Sequence, residues 1–131
     1  MAKNRKIYKN YVCPYCFRQI NKCTCELPVW HLIMVDSGIQ EHIRILNQKG
    51  YKTNGCCESH YDENSICIYI TFAINYGFGE TILLPEGFRS IKSKYGIEYR
   101  YKSKLSEEER NIQKEQKLAE LLEWCKNLPF L

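Results

Sequence analysis

From position 66 to 74 every second residue is apolar. Ile66, Ile68, Ile70, Phe72 and Ile74 stand on one side of an extended chain, with Cys67, Tyr69, Thr71 and Ala73 on the other. A period of two predicts a strand, and apolar character on both sides predicts a central, buried one. The run 29–36 (VWHLIMVD) is β-rich and predicts another central strand. Ser37 with Gln40 three residues on has the form of a capping box. Ile39, Ile43 and Leu46 then recur at helical spacing before Gly50, so a short amphipathic helix is expected over 37–49.

Segment 51–56 has room to return as a strand. The turn-rich loop 75–80 leads into a short strand at 81–84, which Pro85 and Gly87 break. Stretches 88–94 and 97–103 read as a hairpin about Tyr95 and Gly96. In its second arm Ile97, Tyr99 and Tyr101 form a packed face, and Glu98, Arg100 and Lys102 a wet one. Ser106 and Glu109 make a second capping box, opening a helix to about residue 127 whose buried stripe is Leu118, Leu121, Leu122, Cys125 and Leu128. The expected class is α+β: a mixed or antiparallel sheet carrying two helices.

Four of the eight cysteines fall within thirteen residues, Cys13-Pro-Tyr-Cys16 followed by Cys23-Thr-Cys25. Zinc takes four soft or borderline ligands in a tetrahedron, and Cys-x-x-Cys supplies two from one tight turn. Pro14 pre-sets that turn, while Lys6, Arg18 and Lys22 favour thiolates nearby. The cluster therefore predicts one structural Zn2+ on Cys13, Cys16, Cys23 and Cys25, in a knuckle shorter than the usual ribbon. Four thiolates close the coordination shell, which leaves no position for a catalytic water. Disulfides and unligated thiols are the competing readings. The polar, basic stretch before Cys13 lacks a secretory apolar segment, which speaks against an oxidising compartment.

At 131 residues and 44% hydrophobic content the chain is expected to form a basic arm with its zinc knuckle (1–28) and one α+β domain (29–131). The longest apolar run is strand-length, so no membrane span is expected and the protein reads as soluble and cytoplasmic. The net charge of +4 permits contact with nucleic acid without requiring it. Richness in Lys, Ile, Asn and Tyr resembles the usage of AT-rich genomes, such as those of low-GC bacteria and their phages.

Beyond the knuckle, candidate chemistry is sparse. Cys57-x-x-His60 has metal-ligand spacing, and Cys67 is positioned to join it across a strand pair. A thiol beside an imidazole also has the parts of an activated nucleophile, although the sequence assigns no carboxylate partner to His60. Asp36 stands between a strand and a helix, where open sheets place ligands and where helix dipoles also attract acids. Tyr76 and Phe78 could stack on a base or simply pack a glycine-rich tip. His31 is expected in the core and His42 in solvent. No phosphate-loop spacing occurs.

The pattern Asp36, Ile39, Ile43, Leu46-Asn47, Gly50-Tyr51, Thr53 and Cys57-x-x-His60 resembles the wybutosine-synthesising tRNA methyltransferase family over residues 36–74. That resemblance implies an α+β fold and a ligand-facing loop at 56–60. The chain is also similar to small zinc-ribbon proteins of low-GC Gram-positive bacteria and their phages. Together these readings lead to a non-enzymatic, zinc-containing binding protein for nucleic acid or a nucleotide, with Asp36, Cys57, His60, Tyr76 and Phe78 facing the ligand. In a phage setting its partner would include a host protein of a defence system. The alternatives are a small RNA-modifying or S-adenosylmethionine-dependent enzyme, and a protein-interaction module with structural zinc.

Overall fold

A computed structural model describes residues 11–12, 33–34, 37–57, 65–91, 95–102 and 104–131. Their elements in chain order are β1 (Tyr11–Val12), β2 (Ile33–Met34), a 3-10 turn (Ser37–Ile39), α1 (Gln40–Gln48), β3 (Thr53–Cys57), β4 (Ser65–Phe72), β5 (Arg89–Ser90), β6 (Gly96–Lys102) and α2 (Glu107–Asn127). The fold is α+β. Four strands pair antiparallel in the order β3-β4-β6-β5, and β1 pairs with β2 in a separate two-stranded sheet.

β4 is central, as its alternation predicts, and both helices pack on one side of the sheet. Ile66, Ile68, Ile70 and Phe72 are buried beneath them with Ile97 and Tyr99 of β6 and Ile43, Leu46, Leu118 and Leu121 of the helices. The opposite side of β4 departs from expectation: Ser65, Cys67, Tyr69 and Thr71 are half-buried. Among the described residues the helices cover one face alone, and the other is the open face of the sheet.

Other expectations are corrected. Where 29–36 is described, Ile33–Met34 pairs with Tyr11–Val12 and stands outside the four-stranded sheet. β4 already has β3 and β6 as its neighbours, which leaves no central place for a further strand. Stretch 81–84 forms only an isolated bridge between Phe78 and Ile82, because its donors are used locally: Thr81 and Ile82 donate to Gly77 O at 2.9 and 3.2 Å, and Gly79 donates to Ile82 O at 2.8 Å. α1 starts at Gln40 behind a 3-10 turn, and no side chain at its N-cap, Ile39, makes a capping bond. The N-cap of α1 is therefore Ile39 and not Ser37, which begins the 3-10 turn.

α2 forms as expected. Ser106 Oγ accepts from Glu109 N, and the Glu109 carboxylate accepts from Ser106 N. His42, expected in solvent, is 3% exposed, and its Nε2 donates to Leu118 O at 2.7 Å. It sits on the buried side of α1 with Ile43 and Leu46, against α2. Lys49 completes the junction: its Nζ donates to Cys125 O, Lys126 O and Leu128 O at 3.1, 2.5 and 2.6 Å. Cys125 O also accepts from Leu128 N at 3.3 Å, so the ammonium is a second donor there and serves Lys126 O and Leu128 O at the end of α2. Gly50 lets the chain leave α1 at φ 101°, and Leu131 packs where a Cβ would stand. No helix among the described residues is long and apolar enough to cross a membrane.

Candidate functional site

The open face of the sheet follows from strand register. Because directly paired residues share a side, Cys57, Tyr69 and Glu98 stand in one row and Cys67 with Arg100 in the next. Ser65 pairs with Lys102, and Arg89 with Glu98, on the same side. A cleft of about 640 Å³ lies over this face, lined by Asn54, Gly55, Tyr69, Thr71, Ile91, Glu98 and Arg100. A Cβ on Gly55 would meet Thr71 Oγ1 at 2.7 Å, so a larger residue there would require that hydroxyl to move. Thr71 Oγ1 in turn donates to Asn54 Oδ1 at 2.6 Å.

Glu98 is the organising residue. Although it points away from the helices, it is only 7% exposed, which corrects its assignment to a wet face. Arg89 Nε donates to one carboxylate oxygen at 3.0 Å, and Arg100 Nε to the other at 2.8 Å. Burial pushes the Glu98 carboxyl up, but the hydrogen bonds from Arg100 and Arg89 outweigh it and hold it below the ordinary carboxylate range. Each arginine meets Glu98 through Nε, and both side chains stay largely exposed, at 67% for Arg89 and 51% for Arg100. A guanidinium has five N–H donors in a fixed fork, so its terminal amino groups remain for another oxygen ligand.

The Cys67 thiol is poorly set for nucleophilic work. Burial raises the Cys67 pKa, against the opposing pull of Arg100, so the neutral thiol prevails near neutrality. Cys57 lies diagonally across from it, a spacing of about 7–8 Å that an unstrained disulfide does not span. Adjacent Cys56 turns inward and packs on the core. Cys125 is buried, and desolvation pushes its thiol up to about 12. Among the described residues, no group of three or more His, Cys, Asp or Glu side chains is placed to hold a metal ion.

A second cleft, of about 350 Å³, adjoins the first where Ile91 lines both. Tyr76 and Phe78 stand here, in a ring cluster with Tyr51, Phe72 and Trp124 whose centroids lie 4.8 to 5.8 Å apart. Phe78 is 7% exposed and belongs to the core. Tyr76 is half-buried, and its hydroxyl accepts from Lys52 N at 3.0 Å. Tyr95, which the sequence marks only as a turn residue, is 55% exposed and lines the same cleft.

Of the residues singled out in the sequence, Cys57 lies on the open face and Tyr76 and Phe78 line the adjoining cleft. Asp36, His60, Cys13, Cys16, Cys23 and Cys25 lie outside the described residues. Sequence reasoning missed Tyr69, Arg89, Arg100 and Tyr95 as site residues. The two-residue period of 97–103 held part of the signal, since it put Glu98, Arg100 and Lys102 on one side. The register that brings Arg89 and Tyr69 to them is not local information. Neither a protein-family model nor a curated protein or solved structure matches this chain.

Proposed function

We propose that this protein is a non-enzymatic binder of a phosphate-bearing ligand of the nucleotide class, nucleic acid or a nucleotide, with the open face of the sheet as its platform. The observation that carries the reading is the Arg89–Glu98–Arg100 bracket: two guanidiniums fixed through Nε by one buried carboxylate. A fork aligned in this way loses little side-chain entropy when it meets a phosphate. Lys102 adds charge on the same side, and half-buried Tyr69 lends an aromatic surface for a base.

The test is fluorescence anisotropy with labelled oligothymidylate at rising salt. Counterion release makes affinity fall linearly in log–log form, by about 0.7 per phosphate contact on a single strand. The Arg89→Ala/Arg100→Ala double variant is expected to weaken binding and to flatten that slope by about 1.4. A flat salt dependence, or a double variant with the parent's slope, would overturn the reading.

The cysteine spacing supports one structural zinc per chain on Cys13, Cys16, Cys23 and Cys25. The pairing of Tyr11–Val12 with Ile33–Met34 is consistent with it, since the ribbon brings together the two ends of the segment that holds all four thiols. Native mass spectrometry is expected to find one zinc, lost in the Cys13→Ser/Cys16→Ser double variant. Retention of the metal by that variant would remove the assignment.

A further inference from the structure

We infer that the two clefts act as one track, and that the ligand is a single-stranded nucleic acid several nucleotides long rather than a mononucleotide. This rests on the phosphate reading of the arginines. Three observations carry it.

The clefts share a wall. Ile91 lines both, and its backbone N donates to Gly96 O at 2.9 Å. A Cβ on Gly96 would stand 2.9 Å from Ile91 Cδ1 and 2.7 Å from Ile70 O, so glycine alone lets Ile91 lie against the strand at the junction.

The two ends differ in charge and surface. Arg100 and Glu98 line the first cleft, with Arg89 on the other side of that carboxylate. Glu80 lines the second cleft and disfavours a phosphate there. What that end offers is aromatic: exposed Tyr95, beside half-buried Tyr76. One end suits backbone phosphate and the other a base, which is the division of labour along a single strand.

The reach is too long for one nucleotide. Gly96, next to Tyr95, precedes Arg100 by four residues along β6, about 14 Å at the ~3.4 Å rise of an antiparallel strand. A stacked strand advancing ~3.4 Å per nucleotide covers that distance in roughly four steps.

The experiment titrates full-length protein into labelled mono-, di-, tetra- and octathymidylate at low salt. Affinity is expected to rise about tenfold or more between the dinucleotide and the longer strands, as a base reaches the second cleft. The Tyr95→Ala variant is expected to flatten that series. It should fold normally, because the side chain is exposed and makes no bond or ring contact among the described residues; circular dichroism checks this. A mononucleotide that binds as tightly as the octamer would overturn the track, as would an unchanged length series in Tyr95→Ala. Absence of binding at every length would instead remove the phosphate reading beneath it.

Discussion

Among the described residues, Lys49 and the Arg89–Arg100 pair are both held by oxygen, and they are used differently. At the α1–α2 junction Lys49 is 7% exposed, and its ammonium donates to three carbonyls. An ammonium has three N–H donors, so none is left over. On the open face Arg89 and Arg100 each meet Glu98 through Nε and keep most of their surface in water. A saturated cation closes a helix end; a partly used one is oriented and available. In a chain of net charge +4, the count of donors already engaged separates structural charge from ligand-facing charge better than the count of charges does.

Lys49→Met breaks the comparison on its structural side, and the largest effect is expected there. The substitution keeps the apolar stem but removes three charge-assisted bonds at the end of α2, where Cys125 O keeps a second donor in Leu128 N. The expected loss is about 3 kcal/mol, read as a lower midpoint in urea denaturation. Oligothymidylate affinity should be unchanged where the variant is folded. A loss under about 1 kcal/mol would mean that water replaces the ammonium at little cost. The Arg89→Ala/Arg100→Ala variant also costs stability, by about 1–3 kcal/mol, because Glu98 is left buried without its two donors, but it is the variant whose salt slope changes. An unchanged slope there, or a changed one in folded Lys49→Met, would erase the distinction.

Legibility in the sequence followed the range of the interactions. β4 and α2 were readable because their signals are local: an uninterrupted two-residue period in one, and in the other a capping box whose four residues make all its bonds. The strand expected at 81–84 was not, since Gly77 and Gly79 turn its donors back on their own loop. His42 read as solvated because its partner, Leu118 O, is 76 residues away. The candidate site shows the same limit. Glu98 and Arg100 were seen as neighbours on a polar face. Burial of Glu98, and Arg89 as its second partner, depend on β5 pairing with β6. Tyr76 and Phe78 were chosen as ligand-facing aromatics, yet the ring cluster draws Phe78 into the core and leaves Tyr95 as the exposed ring.

The smallest expected effect is the most discriminating, and it comes from Glu98→Gln. The folded carboxyl lies below its ordinary range because the arginine hydrogen bonds outweigh the upward push of burial. Its ionised form therefore stabilises the fold above the unfolded carboxyl pKa of about 4.3. That contribution disappears as pH falls through the lower, folded value. The stability gap between parent and variant should be flat from neutral pH to about 5 and close progressively in stronger acid, as followed by urea midpoints. Binding then decides what the carboxylate is for. If Glu98 only offsets charge, its removal should tighten oligothymidylate binding, since one repulsive group is gone. If it aims the two forks, binding should weaken despite the gain in net positive charge. The expected result is about a threefold loss of affinity, the scale of one exposed ion pair, with the salt slope retained because both arginines are still present. A tightening would return Arg89 and Arg100 to the rank of ordinary surface charge.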